Sequence, residues 1–155
     1  MKSSFKIILL PALHINDFIM DKNALNISLF YCSGSIDQNE LYNSGTLNEK
    51  FAITPINLSC SGRVSIQYLL KAIEKGADGV VLLTCPINEC NYVEGNLRAA
   101  KRVMAVNSIL RESGFQEDRV KIVNSDTQDS TKQIIEKIIN ACNSLAGISQ
   151  KVTVS

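Results

Sequence analysis

"GADGVVLLTCPINECNYVEGN", residues 76–96, decides how this chain is read. Its centre, DGVVLLT (78–84), is a continuous apolar run of strand length with no polar alternation. Such a run suits a strand covered on both faces, as in the interior of a parallel sheet. The run ends in Cys85, and Cys90 follows five positions later.

Working outward, SIQYLLKAIEKG (65–76) puts Ile66, Leu69, Leu70 and Ile73 at helical spacing. Ser65 is its N-cap and Gly76 its stop. Downstream, the longest helix is predicted from about Val93 to Glu112 and ends at Gly114. Its expected inward stripe is Val93, Leu97, Ala100, Met104, Val106 and Leu110. RVKIVN (119–124) reads as a strand. A last helix covers about 130–145, with Ile134, Ile135, Ile138, Ile139, Cys142 and Leu145 on one side.

Towards the N-terminus, NISLFY (26–31) and AITPINL (52–58) read as strands, with IDQNELYN (36–43) as a short helix between them. Pro55 assigns the second strand to an edge or a late start. Strand and helix thus alternate, with connections long enough for right-handed crossovers. The expected fold class is α/β, a Rossmann- or flavodoxin-like parallel sheet with helices on both faces. Residues 26–146 form the expected domain, 1–25 an N-terminal extension that adds an edge strand or docks on a partner, and 147–155 an uncommitted tail.

Composition narrows the function. The 155 residues are 45% hydrophobic and 20% charged, with a net charge of +1. That balance fits an ordinary folded domain and gives no footprint for nucleic acid. The N-terminal KIILLPALHI lacks a small-residue cleavage site and holds Pro11. No apolar run approaches the roughly 20 residues of a membrane span. A cytoplasmic protein is expected. Five cysteines are an odd number in a chain of this length, which favours metal binding or catalysis over a disulfide framework.

The thiols follow a pattern. Cys32 follows SLFY, Cys60 follows ITPINLS and Cys85 follows VVLLT, each at the C-terminal end of a predicted strand. In parallel sheets those ends share one edge, where ligands bind. Cys90 returns to that edge through the loop PINE. Four thiolates there suit a soft metal or an iron–sulfur cluster. The spacing lacks the paired C-x-x-C knuckles of a zinc ribbon. One local pair plus two distant cysteines suits a [2Fe–2S] cluster, with structural zinc and unrelated buried thiols as the open alternatives. Cys142 falls among isoleucines and reads as a small core residue. No catalytic constellation is present: the single histidine, His14, lies in the extension, and no Gly-x-Gly-x-x-Gly follows a strand.

At these residues the sequence resembles a known family, the delta subunit of methyl-viologen-reducing hydrogenase, with related domains in heterodisulfide reductase systems. The carriers are CSGRV (60–64), residues 76–96, LRAAKRV (97–103) and ISLFYCSGS (27–35), and the resemblance spans about 26–125. It implies one [2Fe–2S] cluster in a subunit of an anaerobic oxidoreductase complex. Electrons would pass between a hydrogenase, formate dehydrogenase or other donor and a heterodisulfide-reductase-A-like iron–sulfur flavoprotein. Cys60, Cys85 and Cys90 match the family's ligands directly, and Cys32 matches the second cysteine of its opening cluster.

The chain departs from the family pattern at Tyr31 and Ser35, which replace cysteines, at Thr84 for glycine and at Asn91 for histidine. PINE replaces a His-Pro-Gly-Asp loop. Four cysteines remain, the number a cluster needs. Beside them, Gly62 is expected to turn the chain tightly and bring its amide to a sulfur, and Arg63 to balance cluster charge. Helix starts near Ser65 and Val93 would point dipoles at the site, Tyr92 would pack over it, and Arg98, Lys101 and Arg102 would form a docking face. The rival reading is an adaptor subunit that kept the fold and lost the cluster.

Overall fold

The computed structural model describes residues 24–115 and 118–149. The apolar run at its centre forms a strand, Gly79–Thr84, buried at all six positions. In chain order the elements are β1 (Leu25–Cys32), α1 (Gln38–Tyr42), α2 (Gly45–Lys50) and β2 (Phe51–Leu58). A 3-10 turn (Ser61–Arg63) and α3 (Ile66–Glu74) lead into β3, the Gly79–Thr84 strand. Then come α4 (Gly95–Glu112), β4 (Val120–Asn124) and α5 (Thr131–Ser149).

The four strands are parallel in the order β2-β1-β3-β4. β1 and β3 are therefore inner strands, which explains their apolar runs. β2 is an edge strand, so Pro55, opposite Leu29, withholds no amide from an inner ladder. On one face, α5 buries Ile134, Ile138, Cys142 and Leu145 against Leu29, Val81 and Leu83. On the other, α3 and α4 bury Leu69, Ala99, Val103, Val106 and Leu110 against Phe30, Val80 and Leu82. The expected α/β class, with a parallel sheet covered on both faces, is what the chain forms.

Three expectations need correction. α4 begins at Gly95, and its inward face is Asn96, Ala99, Val103, Val106, Asn107 and Leu110. Of the stripe expected inward, Val106 and Leu110 are buried, whereas Val93 is 80% and Met104 71% exposed, and Leu97 also faces solvent. The packing decides this: Ala99, Val103, Val106 and Leu110 form the apolar stripe that meets the sheet, and the helix starts only after Val93, which has φ 64°. Two polar residues on the true inward face hid it. Asn107, for example, is buried because its side chain bonds both the amide and the carbonyl of Val120.

The second correction is α2, absent from the expectation because GTLNEK buries a single apolar residue, Leu47. The third is the tail: α5 continues to Ser149, with Ile148 buried in the core. The rest of the tail and residues 1–23, including His14, lie outside the described residues. Among the described residues no helix is long and apolar enough to cross a membrane.

Candidate metal centre

All three strand-end thiols arrive at one edge because parallel strands carry their C-termini to the same side. Cys32 is the last residue of β1, and Ser35 fastens the turn beyond it by bonding the Cys32 carbonyl through both its amide (2.9 Å) and its hydroxyl (2.6 Å). Cys85 directly follows β3. Ser125, just beyond β4, bonds the Thr84 carbonyl before it through its amide and its hydroxyl, each at 3.0 Å. Thr84, where the family pattern has glycine, is buried and donates to Asn124 Oδ1 at 2.6 Å.

Cys60 leaves the sheet after β2 and enters the 3-10 turn. The Gly62 amide donates to Cys60 Sγ at 3.3 Å. Cys90 returns on a loop braced by Asn96, whose side-chain amide donates to the Pro86 carbonyl at 3.1 Å. The result is one buried cluster of Cys32, Cys60, Cys85 and Cys90. These four line a cavity of about 410 Å³ together with Ser35, Tyr92 and Asp129 among others. All are free thiols.

The sulfurs do not share one environment. Burial pushes the Cys85 thiol up to about 12, helped by the neighbouring Cys90 and Cys32. Burial also raises Cys60, against the opposing pull of the Gly62 amide. Burial acts to raise Cys90 too, but the amides of Tyr92 and Gly95 and the thiols of Cys85 and Cys60 outweigh it, and its pKa falls. Cys90 therefore yields its proton more readily than Cys60 or Cys85. Backbone amides aimed at a sulfur favour the thiolate that ligates metal.

The donor set is chemically suited to a thiolate-ligated metal or iron–sulfur group. Four thiols surround one cavity and two of them receive backbone amides. Ser61, beside Cys60, is fully buried with a hydroxyl that has no protein partner, the condition of a donor awaiting an acceptor. Among the described residues, however, no three His, Cys, Asp or Glu side chains are gathered to hold a single metal ion.

The other expected residues divide. Gly62 lies against Gly95, and Arg63 is exposed. The α4 terminus supplies the Gly95 amide, but at α3 the Tyr68 amide is taken by Ser65 Oγ at 3.2 Å. Tyr92 borders the cavity with a largely exposed ring, so its contribution to Cys90 is its amide, not a covering side chain. Arg98 is exposed and pairs with Glu94 at 3.7 Å, and Lys101 is exposed. Arg102 is not part of the expected docking face: it turns inward and bonds the carbonyls of Gly62 and Val64. Gly95 and Asn96 had gone unassigned. Their signal was a glycine at the start of a helix, directly after the cysteine turn, where a helix former would otherwise stand.

These features define a small α/β protein with a four-cysteine pocket at the carboxyl edge of its parallel sheet. The chain belongs to the family of the methyl-viologen-reducing hydrogenase delta subunit, whose model matches residues 27–146. It is 31% identical over 93 residues to a vhu iron-sulfur subunit of the F420-non-reducing hydrogenase of Methanopyrus kandleri, covering 60% of this chain and 70% of that one. It is 36% identical over 67 residues to an iron-sulfur subunit of the F420-non-reducing hydrogenase of Archaeoglobus profundus, covering 43% of this chain and 49% of the relative. A third relative belongs to the ferredoxin:CoB-CoM heterodisulfide reductase of Methanosarcina mazei and is 36% identical over 69 residues. That match covers 44% of this chain and 9% of the relative. The chain thus spans about half the length of the Archaeoglobus protein and a small part of the Methanosarcina one.

Proposed function

We propose that this chain is an electron-transfer subunit of an oxidoreductase complex and carries one [2Fe–2S] cluster on Cys32, Cys60, Cys85 and Cys90. The observation that supports it is the isolation of four buried thiols around one cavity, with backbone amides aimed at two of them. When bound, the cluster supplies one-electron oxidation and reduction. The protein's part is to hold four thiolates, to balance their charge with the amides of Gly62, Tyr92 and Gly95, and to shield the site from water on its sheet side. Gly62 contributes through its amide; Arg63, exposed beside the turn, adds positive charge at longer range. Residues 26–146 are the cluster-bearing domain, and residues 1–25 are an extension available to a neighbouring protein of the complex.

The names of the relatives support the setting. Iron-sulfur subunits of hydrogenases and a component of a heterodisulfide reductase are similar in sequence to this chain. The partners we infer are a hydrogenase, formate dehydrogenase or other donor on one side and a heterodisulfide-reductase-A-like iron–sulfur flavoprotein on the other, in the cytoplasm.

One observation favours a second reading, an adaptor without a cluster: among the described residues no three ligand side chains are gathered around a single point, and Tyr31 and Ser35 stand where the family carries cysteines. Anaerobic purification with iron and acid-labile sulfide analysis, plus an EPR spectrum after dithionite reduction, separates the two. Near two irons and two sulfides per chain, with a rhombic one-electron signal, supports the relay. A folded chain without iron overturns it.

A further inference from the structure

We propose that Arg102 is a positioning residue for Cys60, holding the turn that carries this thiol at its working distance from Cys90. Cys32 belongs to β1 and Cys85 directly follows β3, so the sheet ladder fixes them. Cys60 lies beyond the end of its strand, and the turn after it is tied internally by Arg63 N–H to Cys60 O (3.0 Å), Val64 N–H to Ser61 O (3.2 Å) and Gly62 N–H to Cys60 Sγ (3.3 Å). What seats that turn is α4, which grips it at two points.

At the first point Gly62 and Gly95 meet without side chains. A Cβ on Gly95 would overlap the Cys60 sulfur and approach that of Cys90 to 2.8 Å, so Gly95 lies against both thiols. At the second point, Arg102 Nη1 donates to the carbonyls of Gly62 and of Val64, the latter at 2.8 Å. Arg102 lies seven residues after Gly95, two helical turns or about 10 Å further along the same face. The two contacts act as a clasp. The carbonyls of Gly62 and Val64 are held by the guanidinium while the Gly62 amide is left facing Cys60 Sγ at 3.3 Å. Removing the guanidinium frees both carbonyls and lets the turn pivot about Gly95, which moves Cys60 and its amide donor but not Cys32 or Cys85. Lysine restores the charge, but its nitrogen sits one bond short of the Nη1 that donates to both carbonyls, so it restores the clasp only in part.

The proposal rests on the four thiols being a ligand set, yet its first test needs no metal. The full chain and its Arg102→Met and Arg102→Lys variants would be prepared metal-free and treated with iodoacetamide, with labelling of each cysteine read by mass spectrometry. Cys60 labelling is expected to rise roughly tenfold in Arg102→Met, the scale of an outer-shell loss, and less in Arg102→Lys. Cys142, in the opposite core layer, serves as the reference and should not change. In iron-loaded protein a chelator should strip the methionine variant about tenfold faster. Its midpoint potential should fall, because the amide donor and the positive charge near Cys60 are displaced or lost.

Unchanged Cys60 labelling in both variants overturns the proposal. So does an equal rise at all five cysteines, which marks a general loosening. Where the methionine variant does not fold, the ratio of Cys60 to Cys142 labelling in Arg102→Lys decides alone. Failure of the native chain to bind iron overturns the relay reading, and the labelling ratio still judges Arg102.

Discussion

Gly62 and Gly95 meet backbone to backbone: a methyl group on Gly62 would stand 2.7 Å from the Cα of Gly95. Neither glycine is required here for a left-handed turn. Both are required because the turn after Cys60 and the first residue of α4 occupy the same narrow space beside two sulfurs. Local backbone contact, two amide donors and the spacing of Cys60 from Cys90 are thus one structural unit.

Replacing either glycine with alanine should therefore damage the site more than the fold. Overpacking of this kind costs about 1–3 kcal/mol. Gly147, a helical position with nothing within 4 Å of an added Cβ, is the control; alanine there should stabilise by about 0.5–1 kcal/mol. Thermal melts of Gly62→Ala, Gly95→Ala and Gly147→Ala, together with iron content, check the contrast. Equal iron binding in all three would disprove the unit.

Val93 makes the opposite case. It is a β-branched residue at φ 64° with a side chain that is mostly in solvent. The conformation costs about 1–2 kcal/mol for a residue with a Cβ, and no packing compensates it here. Val93→Gly is expected to raise stability by about 1 kcal/mol in urea unfolding, less the greater entropy of the unfolded glycine chain. A destabilised variant would show that the valine side chain contributes packing.

Asn107 ties α4 to the start of β4 by donating to the Val120 carbonyl (2.9 Å) and accepting from its amide (3.1 Å), both buried. Alanine would leave two backbone groups unpaired. The expected cost is about 2–3 kcal/mol. Hydrogen exchange should show faster loss of protection at the Val120 amide than at amides of β1. Uniform loss across the sheet would argue for a general packing defect.

Burial pushes the Cys142 thiol from its ordinary 9.0 up to about 12. The folded state thus holds its proton where the unfolded chain has released it. The stabilising contribution is complete below about pH 9 and is lost as pH rises towards 12. The slope contributed by one such group approaches 1.4 kcal/mol per pH unit within that window. Metal-free Cys142→Ala should lose less stability between pH 8 and pH 10 than the native chain does, although it starts lower by about 1 kcal/mol because it lacks the buried sulfur. Parallel pH profiles would refute the assignment of that slope to Cys142.

What could be read from the chain alone was whatever depends on residue type along a local stretch. VVLLT between Gly79 and Cys85 has no polar face, so an inner parallel strand was legible. Pro55 announced an edge, and cysteines closing three strands announced a shared rim, since parallel strands end on the same side whatever their order. Cys142 was legible as core for the same reason, being one more apolar position on a regular stripe.

The tertiary structure alone decided the phase of α4. A helix rotates by about 100° per residue, so a shift of one residue in the assumed stripe changes which side chains face inward, and packing against the sheet chose Ala99, Val103, Val106 and Leu110. That choice buried Asn96 and Asn107 and exposed Met104. It also turned Arg102 away from the expected docking face and onto the carbonyls of Gly62 and Val64. Strand ends could be counted in the sequence, but the order β2-β1-β3-β4 and the Gly62–Gly95 contact are long-range facts. They depend on which surfaces pack together, and the spacing of the four thiols follows from them.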